Sequence, residues 1–156
     1  MGEIAVQTQF GTLRIVQQDG AIIRLAWVSP DDGTQDGGTT PLLQEAAAQM
    51  RAYDAGRLRR FDLPLRVTGS AFQQAVCAQM QTIPFGDTRT YGQIANALGQ
   101  SAQSVGGACG GNPIPIIIPC HRVMGAGGRL TGFSGAGGVE TKVALLRHEG
   151  AASLLI

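Results

Sequence analysis

The residues best suited to chemistry in this sequence are Cys120 and His121, which lie side by side after a proline-rich apolar segment. Three prolines among residues 113–119 remove backbone donors that a helix or a central strand would need. The apolar run 116–118 can still lie extended and buried, and it would then deliver Cys120 at the end of a stiff segment. The stretch therefore predicts a thiol beside an imidazole in a desolvated setting.

Two interpretations of Cys120 remain open at this point. A thiol next to an imidazole is the minimum for an activated sulfur nucleophile, because the reactive thiolate must be produced by a base or a nearby cation. Neighbouring side chains of an extended segment point apart, so His121 needs a water molecule or a local turn to act on Cys120. A structural role is equally compatible with the spacing, because free cysteine is among the most buried residue types.

Length and composition indicate a globular protein of one domain or two small ones. The chain has 156 residues, of which 44% are apolar. No apolar run approaches the roughly 20 residues of a membrane helix, and the first residues do not resemble a signal peptide. The three cysteines form neither a CxxC pair nor an even-numbered framework, which argues against disulfides and a zinc site. We therefore expect a soluble cytoplasmic protein that needs no cofactor and no metal ion.

The charge is small and unevenly distributed. The net charge is +1, with six arginines against eight acids in residues 1–65 and six basic residues against three acids in residues 66–156. A net charge of −2 in the first part and +3 in the second permits a nucleic-acid surface on the second part without requiring one.

The first part of the sequence predicts a small α+β unit over residues 1–66. A helix opens at Pro41 with Thr39 or Thr40 as its cap, and its apolar residues recur at helical spacing. Three strands joined by tight turns are expected at 4–10, 13–16 and 21–28. A loop is expected at 29–38 and a short edge strand at 61–65. No group of residues here could carry out chemistry, so this α/β unit is expected to support the rest.

The second part, residues 67–156, predicts a mainly helical unit. A helix capped by Ser70 or Thr68 carries an apolar stripe, with Cys77 as a core residue beside it. Two short helices follow over 88–99 and 101–109, separated by Gly99. This outline fits a helix-turn-helix, but an ordinary helical hairpin fits as well, and the second helix has no basic residue.

The region after Cys120 predicts a loose hairpin over 122–133, a flexible loop over 134–138 and a last helix over 139–149. The expected buried residues of that helix are Val143, Leu145 and Leu146. Glu149 closes the helix, and a carboxylate there could orient a histidine as the third member of a Cys/His/acid arrangement.

Several segments, in this order, resemble the O6-alkylguanine-DNA alkyltransferases, also called methylated-DNA–protein-cysteine methyltransferases. The resemblance covers about residues 60–150 well and the N-terminal unit only in outline. The matching segments are Thr90–Ala95, Val105–Gly107, Asn112–Val123, Gly132–Ser134 and Leu145–Gly150. It implies an N-terminal RNase-H-like domain and a helical C-terminal domain with a helix-turn-helix of the winged-helix type. It also implies a monomer in the bacterial cytosol or nucleoid whose partner is double-stranded DNA.

The resemblance assigns a catalytic role to five residues. Cys120 would accept the alkyl group irreversibly, with His121 as its base through a bound water and Glu149 orienting His121. Asn112 would shape the turn, and the Tyr91 hydroxyl would supply a proton to the departing guanine. The substrate implied is O6-alkylguanine, with O4-alkylthymine as a second candidate, flipped out of the duplex because its reacting atom is unreachable in the stack.

The resemblance also assigns residues to the DNA and the flipped base. The carbonyls of Cys120 and Val123 would accept from the guanine amine, and the Ser134 amide would face O6. The full set of expected contacts is Gln103, Ser104, Arg122, Val123, Phe133 and Ser134.

The sequence departs from the family pattern at the point where an arginine usually enters the base stack. Gln103 occupies that position, and no basic residue stands near Gly110. Phe133 replaces a frequent tyrosine, and the glycine loop after it is about two residues longer. Two alternatives follow: a protein that binds lesions with weak or altered transfer, and a cysteine hydrolase that turns over.

Overall fold

The computed structural model describes residues 1–32, 40–130 and 138–151. The chain divides into two compact units, Met1–Val67 and Thr68–Ile156, one residue beyond the boundary expected from the sequence. Each unit contains its own helices and strands. No helix of the described ranges is long and apolar enough to cross a membrane.

The N-terminal unit is an antiparallel sheet covered by one helix. Its strands are β1 (Gly2–Thr8), β2 (Gly11–Gln18) and β3 (Ala21–Val28), in the order β1-β2-β3. The helix α1 (Pro41–Asp54) packs on β1 and β2. The strands and the helix confirm the predicted α+β outline, and the Thr40 hydroxyl accepts from the Leu43 amide as a helix cap does.

The core of this unit forms where alternate strand residues meet the apolar face of α1. The largest fully buried side chains of both layers are Leu13, Ile15, Ile22, Leu43, Met50 and Tyr53. The expected edge strand at 61–65 is reduced to one parallel bridge between Leu65 and Ile22. Pro64 explains the reduction, because it has no backbone donor for a continued ladder.

The C-terminal unit begins with three helices whose ends follow local capping chemistry. These are α2 (Ala71–Gln81), α3 (Tyr91–Leu98) and α4 (Ala102–Gly110). Ser70, Thr90 and Ser101 cap their first turns, and Gly99 ends α3 in the left-handed conformation at a φ of 65°. Helices α3 and α4 pack on each other, and α2 packs on α4.

Two predictions for this unit need correction. Helix α3 starts at Tyr91 because Arg89–Thr90 forms a strand, β4, which pairs in parallel with β5 (Val123–Met124). The hairpin expected over 122–133 is therefore reduced, within the described residues, to one antiparallel bridge between Gly125 and Arg129. Pairing with β4 takes up the residues that the hairpin would have used.

The last helix, α5 (Val139–His148), lies as predicted but buries a different set of residues. Leu145 and Leu146 are fully buried, whereas Val143 is only half-buried. Lys142 is completely buried in its place. A lysine counts as polar in any periodicity analysis, so the apolar spacing of the sequence gave no sign of its burial.

Candidate active site

Cys120 is presented by a tight turn and not by the extended segment expected from the prolines. Residues 116–118 are buried, but Ile116 has a φ of 72°, which a β-branched residue rarely adopts. The Ile118 amide donates to the carbonyl of Ile114 at 2.9 Å, which folds the segment back on itself. The surrounding structure therefore holds a strained residue four positions before the thiol.

Asn112 fastens this turn with both ends of its side-chain amide. Its Nδ2 donates to the carbonyl of Ile118 at 2.8 Å, and its Oδ1 accepts from the amide of Ile114 at 3.0 Å. Asn112 is itself buried, so these bonds form in a low-dielectric setting. The side chain has the geometry that a turn-shaping residue requires.

Cys120 begins a single 3-10 turn that ends at Arg122, and its side chain is buried. Burial raises the pKa of the Cys120 thiol to about 11, although the hydrogen bond with Asn112 and the charge of Lys142 act in the opposite direction. The group is therefore a thiol at neutral pH. It needs a base or a cation to become nucleophilic.

His121 lies on the same turn, and its imidazole forms a hydrogen bond with the carboxylate of Glu149. Its Nε2 is 2.7 Å from Glu149 Oε2, and both side chains are fully buried. Burial lowers the pKa of His121, while the contact with Glu149 opposes that change. The neutral ring then donates from Nε2, and its Nδ1 is a buried acceptor that has no hydrogen-bond partner in the described part of the chain. Such an atom can take a proton.

Arg122, which was expected to contact DNA, points into the protein. Its Nε and one terminal nitrogen donate to the two oxygens of Glu149 at 2.7 and 3.0 Å. The other terminal nitrogen donates to the carbonyl of Ile83 at 2.6 Å, and the guanidinium lies 5.9 Å from the Phe85 ring centroid. A guanidinium bound in this way orients Glu149.

Glu149 is kept ionised by its two neighbours. Burial by itself would raise the pKa of Glu149, but the hydrogen bond from His121 and the hydrogen bond and charge of Arg122 more than offset it and lower the pKa to about 2. A permanent carboxylate fixes the tautomer of His121.

Lys142 is a site residue that the sequence did not reveal. Its Nζ donates to the carbonyl of Val123 and lies 5.8 Å from the centroid of the Tyr91 ring. Burial lowers the pKa of Lys142, and the neighbouring thiols of Cys120 and Cys109 oppose that change. The ammonium therefore lies where it favours a thiolate at Cys120. The only sequence signal was its place one residue from the predicted apolar stripe.

One of the expected DNA and base contacts, Gln103, lines an uncharged cavity of about 430 Å³. Its lining residues are Thr90, Tyr91, Gly92, Ala102, Gln103, Gly106 and Ala126. Tyr91 and Gln103 thus share one cavity, whereas the Ser104 hydroxyl is 2.8 Å from that of Ser101 at the start of α4. Val123 is buried, with its carbonyl already accepting from Lys142. Phe133 and Ser134 lie outside the described residues.

Replacing Lys142 by methionine is expected to shift the pH dependence of alkylation to higher pH by about one unit. Methionine fills similar space without the positive charge that lowers the pKa of Cys120. The rate of reaction with the free base O6-benzylguanine, measured against pH, tests this expectation. Lys142→Arg keeps the charge and serves as the control. An unshifted profile in Lys142→Met would remove the lysine from the activation of Cys120.

Fold and site together define an α+β protein with a buried cysteine, histidine and glutamate next to a helical hairpin. Residues 71–151 match the family model described as "6-O-methylguanine DNA methyltransferase, DNA binding domain". The chain belongs to this O6-methylguanine DNA methyltransferase family.

Relatives and solved structures agree with this membership. The methylated-DNA–protein-cysteine methyltransferase of Mycobacterium tuberculosis is 45% identical over 139 residues, which are 88% of this chain and 78% of that protein. The constitutive enzyme of Bacillus subtilis is 38% identical over 152 residues, 92% of each. The crystal structure of Mycobacterium tuberculosis OGT in complex with DNA matches with a TM-score of 0.83 at 40% identity, covering 98% of both chains.

Proposed function

We propose that this chain is a DNA-repair alkyltransferase that moves the alkyl group of O6-alkylguanine onto Cys120. The observation that carries the proposal is the buried Cys120 beside His121, whose Nδ1 is without a partner in the described chain and whose Nε2 is bound to Glu149. The family names attached to its relatives agree with this chemistry. The alternative of a protein that only binds lesions is not favoured, because the relatives compared above are named as methyltransferases.

The proposed reaction is a single displacement. His121 Nδ1 takes the thiol proton of Cys120 through a water molecule, and Lys142 and Asn112 stabilise the thiolate. The sulfur attacks the alkyl carbon, the carbon–oxygen bond breaks, and its electron pair leaves on the guanine. The Tyr91 hydroxyl supplies the proton that the leaving base needs. The product is a thioether, so each chain reacts once.

The two units take different parts in this proposal. Residues 67–156 hold the site, and helices α3 and α4 act as the helix-turn-helix that meets duplex DNA. The cavity between Tyr91 and Gln103 receives the flipped base, since its size and uncharged lining suit a neutral heterocycle. Residues 1–66 form a small domain that is RNase-H-like in outline and supports the C-terminal unit. The protein acts as a monomer.

Mass measurement after mixing the protein with an O6-methylguanine duplex tests the function. One added methyl group per chain is expected. No added mass, with binding retained, would indicate a lesion-binding protein. Several product molecules per chain would indicate an enzyme that turns over, and either result would reject the proposal.

Gln103 is expected to limit the repair of duplex DNA. Its side chain is exposed at the edge of the cavity and offers a neutral amide, with shorter reach than an arginine and no charge for phosphates or the orphaned cytosine. Holding the base out of the stack should therefore cost about 1–3 kcal/mol more. Mismatched and single-stranded substrates should be tolerated well, because flipping costs less there.

The variant Gln103→Arg is expected to repair duplex O6-methylguanine about 10- to 100-fold faster, which corresponds to 1.4 kcal/mol for each tenfold change. Its reaction with free O6-benzylguanine should be almost unchanged, which provides the control. Equal duplex rates for wild type and variant would contradict the idea. Another residue, such as Gln100 or one between 122 and 132, would then fill the stack.

A further inference from the structure

Four of the seven arginines of the N-terminal unit lie at the end of α1 or in the turn that follows it. Arg51 stands in the last turn of the helix, and Arg57, Arg59 and Arg60 come after it. All four side chains are exposed. No other four-residue window of the sequence contains three basic residues, and we refer to residues 57–60 as the arginine segment.

The backbone of the arginine segment is fixed to α1 at both ends. The amides of Arg57 and Leu58 donate to the carbonyl of Ala52 at 2.8 and 3.2 Å. On the far side, Asp62 exchanges two hydrogen bonds with the side-chain amide of Gln49, at 2.9 and 3.0 Å. The guanidinium groups are therefore presented from an anchored backbone, which lowers the entropy lost when they bind a ligand.

Two arginines of the segment, Arg57 and Arg60, have no carboxylate partner among the described residues. The unit as a whole has eight acids against seven arginines. The positive charge is therefore concentrated in the arginine segment and is not a property of the whole unit. A concentrated positive charge favours a polyanionic partner.

The C-terminal unit has no such positive cluster on helices α3 and α4, which are the helices that meet DNA in the proposed function. Helices α3 and α4 contain no lysine or arginine. Two of the five basic residues of the unit, Arg122 and Lys142, are buried. Neutralisation of phosphates by arginine and lysine supplies a large share of the affinity for duplex DNA. Only Arg89, Arg129 and Arg147 of this unit remain for phosphates, so a further cationic contact elsewhere in the chain would strengthen DNA binding.

We propose that the arginine segment binds phosphates of duplex DNA, so that the N-terminal unit takes a direct and sequence-independent part in substrate binding. This inference rests on the proposed function, which makes DNA the substrate. The planar guanidinium of each arginine fits two phosphate oxygens at once. The contact raises affinity and its salt dependence, and it has no part in the chemistry at Cys120.

The test compares two triple variants that each remove three positive charges from the same unit. The first variant changes the arginine segment and is Arg57→Gln/Arg59→Gln/Arg60→Gln. The control variant changes two arginines of the sheet and one near the end of the unit, and is Arg14→Gln/Arg24→Gln/Arg66→Gln. Binding to an unmodified duplex is measured by fluorescence anisotropy at several NaCl concentrations. The slope of log K against log salt should decrease in magnitude by about 2 to 3 in the first variant, because each lost phosphate contact removes about 0.9. The control should keep the wild-type slope.

Reaction with free O6-benzylguanine should be unchanged in both triple variants, which shows that the site is intact. An unchanged slope in the first variant, or an equal decrease in both, would overturn the inference. If the first variant does not fold, the three single variants should each lower the slope by about 1. A wild type that accepts no methyl group would refute the proposed function, whereas a methylated wild type with an unchanged slope in the variant would refute only this inference.

Discussion

Cys120→Ala and Cys120→Ser are expected to abolish alkyl transfer while leaving the binding of duplex DNA almost unchanged. The sulfur is the only atom of this side chain that can form the thioether, and a serine hydroxyl in the same place is far harder to ionise. The buried thiol adds little contact area to a DNA surface. Intact-mass measurement after incubation with an O6-methylguanine duplex, together with anisotropy on the same duplex, checks both parts.

The other two cysteines provide matched controls for this experiment. Cys77 and Cys109 are buried free thiols of the same unit. Burial raises the pKa of Cys109 to about 12 and also raises that of Cys77, so neither thiol ionises readily. Cys77→Ala and Cys109→Ala should therefore still accept one alkyl group. A labelled alkyl group found on Cys77 or Cys109 would refute the assignment of Cys120.

His121→Ala is expected to slow alkyl transfer by about 10²–10⁴-fold, the usual range for the loss of a general base. The same change removes the acceptor Nδ1 and leaves the contact between Arg122 and Glu149 in place. The rate should then rise with pH up to a higher midpoint than in the wild type, because only hydroxide remains to ionise the thiol. A pH–rate profile identical to that of the wild type would exclude His121 from the mechanism.

Glu149→Gln should produce a similar loss of rate, but it also affects the fold. Removing the carboxylate leaves the buried Arg122 without its partner, and breaking a buried pair costs about 3–5 kcal/mol of stability. Because the pKa of Glu149 is depressed to about 2, its contribution to stability is fully present above pH 4.5 and is lost as the pH falls toward 2. The free energy of unfolding should therefore fall less between pH 4.5 and pH 2 in Glu149→Gln than in the wild type. Its rate is informative only under conditions where it is folded.

The sequence determined the elements whose causes are local. The caps at Thr40 and Ser70 and the helix end at Gly99 depend on hydrogen bonds that span a few residues, so they were visible without a structure. The sequence also revealed Cys120, His121 and Glu149 as candidates, because reactive residue types in a recognisable order identify a family. What these residues contact was not determined at that level.

Only the tertiary structure decided where the buried charges lie. Arg122 meets Glu149 across 27 positions of sequence, and β4 pairs with β5 across more than 30. A charged side chain looks the same in a sequence whether it faces solvent or a buried partner, so Arg122 was assigned to DNA and Lys142 was overlooked. The turn at Ile116 was missed for a related reason. Its strained backbone is stable only because tertiary contacts, among them the hydrogen bonds of Asn112, compensate for a conformation that the residue itself disfavours.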